Sequence, residues 1–137
     1  MTENLHVKKA LKMLSDSPLK LTSQRINLIK TLFQRGNQHF SAEDVYNEVK
    51  NTGLKISLAT IYNCLNQFTK HGILKMVKAS SDKVYFDTNL ESHHHFFCKS
   101  TGELTDIDAK KVYIHKFPKI PKGKKLNSIE VIVNISD

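Results

Sequence analysis

The residues best suited to chemistry lie in one short segment, "FDTNLESHHHFFCKSTGELTDID", which spans residues 86–108. It contains three consecutive histidines, flanked by acidic residues, in a chain whose formal net charge is +8. Alternate side chains of an extended strand share a face, so His93 and His95 point to one side and His94 to the other. The triplet is therefore an H-x-H pair that can chelate one cation, together with a histidine that faces elsewhere.

Two imidazoles do not complete a metal site, because tetrahedral and octahedral sites use four to six ligands. Asp87 ends the preceding predicted strand, and Asp106 lies in the following one, which a tight return would lay beside the H-x-H pair. His39, in the loop predicted before the third helix, can add a further nitrogen from the first half of the chain. Such a nitrogen and oxygen set suits Fe(II), Mn(II) or Zn(II). The alternative is a histidine tract that is solvated or binds metal only adventitiously.

The basic residues are concentrated in the first part of the chain. Residues 1–85 contain 13 Lys and Arg against 6 Asp and Glu, whereas residues 86–137 contain 8 against 7. A basic module joined to a nearly neutral one indicates a polyanion partner for the first, although solvated basic faces are common. The two cysteines suggest no disulfide framework, and no apolar run has the length of a membrane helix or the form of a signal peptide. We therefore expect a cytoplasmic protein without a membrane partner.

The periodicity predicts an α+β protein in two domains. Four helices are expected in "LHVKKALKML", "LTSQRINLIKTLFQRG", "SAEDVYNEVKNTG" and "SLATIYNCLNQFTKHG", followed by a hairpin of "ILKMV" and "KVYF" around "KASSD". Helices followed by a small hairpin make a winged helix-turn-helix, which we assign to residues 1–87. A hinge is expected at about residues 88–92, and residues 93–137 then form a small α/β domain. Its predicted strands are "HHHFFC", "ELTDID", "KVYIHKF" and "NSIEVIVNIS".

The fourth helix has a polar face opposite its apolar stripe. Amides on such a face can pair with adenine edges, and methyl groups or Tyr can contact the thymine methyl, which favours an operator rich in A·T pairs. A polar outer face is also ordinary for any surface helix. Recognition helices read bases chiefly with their N-terminal turns, and cations near a neighbouring helix start suit phosphates. The predicted DNA-binding residues are Lys20 and Arg25, for phosphates, and Ser57, Ala59, Thr60, Tyr62 and Asn63, for bases.

The motifs "LTSQR", "FSAEDVYNEV", "SLATIYNCLNQF" and "HHHFFC" occur in this order. Their order and spacing resemble those of the ferric uptake regulator family of bacterial metal-responsive repressors, over about residues 20–135. The resemblance implies a winged helix followed by an α/β dimerisation domain, a homodimer on double-stranded DNA, and a regulator rather than an enzyme. It also implies a metal site near the hinge, whose ligand positions fall on His39, Asp87, His93, His95 and Asp106.

The chain departs from the family pattern at its cysteines. Many relatives hold a structural zinc with two C-x-x-C pairs, but here Cys98 is followed by Thr101 and by no later cysteine, so we expect no structural zinc held by four cysteines. A second histidine and acid site of the family is damaged, with Ser92 and His94 standing at its positions. His115 is left without a role.

Within the family, "YFDTN", "HHHFF" and the "LTDI" strand are most similar to the iron response regulator branch, which also has Asn where other relatives carry Arg at the position of Asn63. This likeness implies haem as a signal, with His93, His94 and His95 as candidate ligands and a haem-delivering protein as a further partner. Neither cysteine precedes a proline, so the Cys-Pro haem motif of some members is absent. Haem and the five-ligand metal site would compete for the H-x-H pair.

Together these features predict a cytoplasmic, dimeric, sequence-specific DNA-binding regulator of iron or haem homeostasis. The alternative within the family is a peroxide sensor, in which Fe(II) at the same residues promotes oxidation of the ligand histidines. A metal-dependent hydrolase is the alternative from another class, but no carboxylate is set aside as a general base and no substrate pocket is indicated.

Overall fold

The structure, a computed structural model, describes residues 4–80 and 82–137 of the chain. It divides into two compact units, one that ends at Leu90 and one that runs from Glu91 to Asp137. No helix in the described ranges is both long and apolar enough to cross a bilayer. The helices are α1 (Leu5–Asp16), α2 (Ser23–Phe33), α3 (Ala42–Asn51) and α4 (Leu58–Lys70), and the strands are β1 (His39–Phe40), β2 (Lys75–Ser80), β3 (Lys83–Asp87), β4 (His94–Cys98), β5 (Leu104–Ile107) and β6 (Ile132–Ile135).

The four predicted helices are all present, and each begins at a short polar side chain that accepts a hydrogen bond from the first turn. The N-caps are Asn4, Thr22, Ser41 and Ser57. At α3 the cap is reciprocal: Ser41 Oγ accepts from the Asp44 N–H at 3.1 Å, and Asp44 Oδ2 accepts from the Ser41 N–H at 3.0 Å. This is the capping box predicted from the sequence.

The core of the first unit is formed by the apolar stripes of the helices. Ile61, Leu65 and Phe68 of α4 are completely buried, as their spacing predicts. They belong to one cluster with residues of α1 and α2, among them Leu14 and Leu28. Because this stripe anchors α4 from one side, its polar side is left at the surface.

The sheet of the first unit has the strand order β1-β3-β2. The predicted hairpin of β2 and β3 is present and antiparallel, although Ser81 of its predicted turn lies outside the described residues. The prediction that His39 lies in a loop is wrong, because β1 pairs antiparallel with β3 and sets His39 opposite Asp87. A strand of two residues has no periodicity of its own, so only its partner reveals it.

Thr88 continues this pairing beyond β3. The Thr88 N–H donates to the Gln38 carbonyl at 3.0 Å, and the Gln38 N–H donates back to Thr88 Oγ1 at 2.9 Å. These two bonds fasten the short strand β1 to the end of β3.

The sheet of the second unit has the order β5-β4-β6, with β4 antiparallel to β5 and parallel to β6. The predicted α+β class, a winged helix followed by a small α/β domain, is confirmed. The strand predicted in "KVYIHKF" is wrong, because residues 112–117 lie outside helices and strands. Pro118 and Pro121 remove N–H donors next to this segment, which disfavours its addition to an edge of the sheet. A 3₁₀ turn, Ala109–Lys111, follows β5 instead.

Replacing Ser41 with Ala removes the oxygen that accepts the Asp44 N–H. We expect the free energy of unfolding, measured by urea denaturation, to fall by about 1 kcal/mol. Ser15→Ala, at an exposed position inside α1, is the matched control and should be neutral or slightly stabilising, because Ala favours helices. An equal loss in both variants would contradict the capping role of Ser41.

Candidate metal centre

His93 is oriented by the backbone of its own segment. Its Nδ1 lies 2.7 Å from the carbonyl oxygen of Glu91, and because a carbonyl only accepts, the ring must donate its Nδ1–H. In the neutral imidazole the lone pair is then on Nε2. Hydrogen bonds of this kind orient most metal-binding histidines in proteins.

The Nε2 atoms of two histidines converge on one carboxylate oxygen. Asp106 Oδ1 lies 3.6 Å from His93 Nε2 and 3.3 Å from His95 Nε2. The pairing of β4 with β5 explains this, because His95 lies directly opposite Asp106 and His93 precedes His95 by two residues. The two imidazole centroids are 4.5 Å apart. One ligand atom from each of the three residues lies within 4.8 Å of the others.

This arrangement favours a positive charge among the three side chains. Since His93 donates its Nδ1–H to Glu91, the neutral ring turns an Nε2 lone pair toward the Asp106 carboxylate, and two electron-rich atoms repel each other. A proton or a metal cation between them removes the repulsion. Both imidazoles are buried, whereas the Asp106 side chain is 52% exposed, so the group is open to solvent at its carboxylate. These donors fit Fe(II), Mn(II) or Zn(II).

His39 and Asp87 form a donor pair within the first unit. They are directly opposite in the β1–β3 ladder, and opposite residues of antiparallel strands project to the same face, about 5 Å apart at Cβ. Asp87 is 1% exposed, and its Oδ1 accepts a hydrogen bond from the Asn89 N–H at 2.8 Å. The His39 ring packs edge-on against Tyr85. The pair thus offers one nitrogen and one carboxylate at the end of β3.

His94 occupies a different environment from its two neighbours. Its Nδ1 accepts a hydrogen bond from the Val131 N–H at 3.0 Å, so in the neutral ring the proton is on Nε2 and neither nitrogen offers a lone pair. The bond ties β4 to the residue that precedes β6. The structure therefore brings His93 and His95 together and separates His94 from them.

The predicted base-contacting residues lie on the surface side of the first two turns of α4. Ser57 is the N-cap, and its hydroxyl lies 2.9 Å from that of Thr60, which is half-buried. Ala59, Tyr62 and Asn63 are exposed. The N-terminal turns of α4 thus present small, hydroxyl and amide groups together.

Tyr62 is held by a residue that the sequence did not single out. Its hydroxyl donates a hydrogen bond to Glu43 Oε1 at 3.0 Å. Partial burial raises the pKa of the Tyr62 phenol, and the bond to Glu43 and its charge raise that pKa further. Glu43 is one of two acids in the first turn of α3, where acidic residues are common because they complement the helix dipole. The sequence therefore contained no signal that Glu43 bonds to a residue 19 positions away.

Arg25 connects α2 to α4. Its guanidinium donates to the Lys20 carbonyl oxygen at 2.8 Å and to Gln67 Oε1 at 3.0 Å. The group has five N–H donors, so others remain for a phosphate. The Lys20 side chain is exposed. Arg25 therefore positions α4, in addition to its predicted contact with DNA.

Cys98 meets Thr101, the residue that stands where many relatives have a second cysteine. Hydrogen bonds from the Thr101 hydroxyl and from the backbone N–H groups of Thr101 and Ser100 hold the pKa of the Cys98 thiol below its usual value. Burial instead raises the pKa of the Cys64 thiol. The two cysteines of the chain therefore differ in reactivity.

Replacing Thr101 with Val removes the hydroxyl that stabilises the Cys98 thiolate. We expect the pKa of Cys98 to rise, which moves the midpoint of its pH-dependent alkylation by iodoacetamide, followed by mass spectrometry, to higher pH. Thr105→Val, the same substitution at an exposed position of β5, is the control and should leave the midpoint in place. A midpoint that is the same in Thr101→Val and in the wild type would refute the contribution of the hydroxyl.

A sequence profile of the Ferric uptake regulator family matches residues 16–134, and this range includes all the predicted site residues. The chain belongs to this family. The ferric uptake regulation protein of Neisseria gonorrhoeae is 36% identical to it over 95 residues, which are 69% of this chain and 66% of that protein. The match thus spans just under two thirds of the length of that relative.

Solved structures of the ferric uptake regulator family have the same fold. The Pseudomonas aeruginosa ferric uptake regulator with manganese is 25% identical, with a TM-score of 0.66 over all of this chain and 98% of that one. The Francisella tularensis ferric uptake regulator with iron has a TM-score of 0.71 over 89% of this chain and 94% of that one, at 21% identity. The second likeness is one of fold alone.

Proposed function

We propose that this chain is a DNA-binding transcriptional regulator whose affinity for DNA depends on a divalent metal ion. The observation that carries the proposal is the convergence of His93 and His95 on Asp106 in a member of the ferric uptake regulator family. The relative named above is a regulation protein, which supports a regulatory role rather than catalysis.

The proposed ligands are the five residues of the two donor groups. Three imidazoles and two carboxylates carry a formal charge of about −2, which balances a divalent cation and suits Fe(II), Mn(II) or Zn(II). Support comes from each unit by itself, from the opposed pair in the first and from the converging triad in the second. When bound, the cation supplies a positive charge that both donor groups share. The set is His39, Asp87, His93, His95 and Asp106.

The five residues from Thr88 to Ser92 are the proposed hinge between a DNA-binding domain, residues 1–87, and a dimerisation domain, residues 93–137. Donors on both sides of a hinge restrict its orientations when they share one ion. In a homodimer that restriction sets the separation of the two α4 helices, and thus the spacing of the half-sites that they reach. If the metal ion binds more tightly to the hinge orientation that fits DNA than to the other orientations, metal raises the affinity for DNA. By the same factor, DNA then raises the affinity for metal.

The N-terminal turns of α4 are the proposed reading surface for a major groove rich in A·T pairs. Asn63 offers an amide to adenine, and Ala59 and Tyr62 offer apolar contact to thymine methyl groups. The bond to Glu43 fixes the Tyr62 ring before DNA arrives, which lowers the entropy lost on binding. Lys20 and Arg25 are the proposed phosphate contacts.

The finer part of the proposal concerns haem, which the likeness to the iron response regulator branch implies. Haem would compete with the metal ion for the Nε2 atoms of His93 and His95. His94 is the weaker candidate, because its Nδ1 accepts the Val131 N–H.

The alternative function, a peroxide sensor, is distinguished by mass spectrometry after treatment with Fe(II) and peroxide. A peroxide sensor would gain an oxygen atom on His39 or His93.

Replacing His95 with Ala removes one of the converging nitrogens. We expect Mn(II) affinity, measured by isothermal titration calorimetry, to fall by about 100-fold or more, because loss of even a supporting hydrogen bond costs about 10–100-fold in metal sites. His115→Ala, at an exposed position, is the control and should bind Mn(II) as the wild type does. Circular dichroism verifies that both variants are folded, and wild-type affinity in a folded His95→Ala variant would refute the metal site.

The same preparations test the haem part by absorbance titration. Loss of the haem spectrum in His93→Ala but not in His94→Ala is the expected result. Equal loss in both variants would contradict the distinction drawn between these histidines.

Replacing Asn63 with Ala removes the proposed amide contact to adenine. The probe is a duplex that the Mn(II)-loaded wild type selects from a random pool, with a scrambled duplex of equal length beside it. We expect affinity for the selected duplex, measured by fluorescence anisotropy, to fall by about 1–3 kcal/mol while affinity for the scrambled duplex is unchanged. Asn47→Ala, exposed on α3, is the matched control. If Asn63→Ala prefers the selected duplex over the scrambled one as strongly as the wild type does, the proposed contact of Asn63 with adenine is contradicted.

A further inference from the structure

The chain between β5 and β6 is rich in lysine and contains no acidic residue between Asp108 and Glu130. This crossover segment, residues 109–129, contains seven lysines and no Asp or Glu. All seven side chains are exposed. The second half of the chain is nearly neutral only because these lysines balance carboxylates that lie elsewhere in it. The seven are Lys110, Lys111, Lys116, Lys119, Lys122, Lys124 and Lys125.

The ammonium groups of the crossover segment have no acidic partners. Lys12 pairs with Asp16 at 3.2 Å and Arg35 with Glu48 at 3.2 Å, but within the described residues none of the seven lysines lies in a salt bridge. Their mutual repulsion is therefore not compensated inside the unit. An external polyanion would relieve it.

The prolines of the segment favour an extended backbone. Pro118 and Pro121 fix φ near the value of a polyproline II helix, which has three residues per turn and no internal hydrogen bonds. Consistent with this, residues 113–123 donate no backbone hydrogen bond to another backbone group within the described part of the chain. In an ideal polyproline II helix, residues spaced by three share one side and lie about 9 Å apart. The lysines with this spacing are Lys116, Lys119 and Lys122.

Cations at this spacing suit the backbone of DNA. One strand of a B-form duplex carries a phosphate about every 3.4 Å along the axis and winds around it, so flexible lysine side chains of one segment can each reach a different phosphate. A turn then ends the extended stretch: the Lys124 N–H donates to the Pro121 carbonyl at 3.0 Å, and Gly123 has φ +80°. Gly123 is the second of the two central residues of this turn, a position at which a positive φ favours glycine. The turn groups Lys122, Lys124 and Lys125 at one end of the row.

We propose that the crossover segment is a second contact of this protein with the DNA backbone, in which Lys116, Lys119 and Lys122 neutralise phosphates spaced along one strand. The inference rests on the proposed function and adds to it, since the predicted contacts all lie before residue 88. Such contacts raise affinity without specifying sequence. DNA is favoured over a membrane surface because the chain belongs to a family of regulators and the exposed lysines complement the charge of a phosphate backbone.

The test compares two triple variants of the full chain. K116Q/K119Q/K122Q removes three charges, whereas K116R/K119R/K122R keeps them. Both are titrated with the selected and the scrambled duplex at several salt concentrations. The Gln variant should bind both duplexes more weakly by the same factor and reduce the slope of log K against log salt by about 0.9 for each lost contact, or about 2.7 per protomer. The Arg variant should keep the wild-type slope.

The outcomes separate this inference from the function on which it rests. If the wild type selects a duplex and Asn63→Ala abolishes the selectivity, while the Gln variant keeps the wild-type slope, the inference is overturned and the proposed function stands. If the wild type binds no duplex, both are overturned. Binding to vesicles that contain anionic phosphatidylserine is measured for the same variants. If the Gln variant loses vesicle binding while its DNA binding is unchanged, the partner of the crossover segment is a lipid surface and the inference of a DNA contact is overturned.

Discussion

Two imidazole rings converge on one oxygen atom of the Asp106 carboxylate because three properties of the backbone coincide. The alternation of an extended chain puts His93 and His95 on one side, the pairing of β4 with β5 sets Asp106 opposite His95, and the Glu91 carbonyl turns the His93 ring. A shift of one residue in this pairing would exchange the faces of the strand and bring His94 toward the carboxylate instead. The chemistry of the group therefore depends on strand register more than on the number of histidines.

Prediction from sequence succeeded where a signal is local. The capping box at Ser41 and Asp44 and the apolar stripe of α4 follow from spacings of three or four residues, and alternation is enough to separate His94 from its neighbours. It failed where pairing is distant. The short strand β1 exists only because β3 and Thr88 hold it, and the Glu43 contact with Tyr62 joins two helices.

The failed strand in "KVYIHKF" has a related cause. Its apolar residues alternate well enough for a strand, but a strand also needs a pairing partner, and the sheet of the second unit consists of β5, β4 and β6 alone among the described residues. The net charge of the second half of the chain also concealed a local feature. The balance of 8 basic against 7 acidic residues in the second half describes an average, whereas the lysines are gathered in one connection. Position along the chain, rather than the total, decides what such charges can contact.

The bond from His93 to the Glu91 carbonyl has a consequence for substitutions at this site. Since the acceptor belongs to the main chain, the side chain at position 91 can change without loss of the acceptor. The hydrogen bond that orients the ring therefore withstands a change of residue type at position 91 as long as the backbone keeps its path, whereas loss of the histidine at position 93 removes the bond.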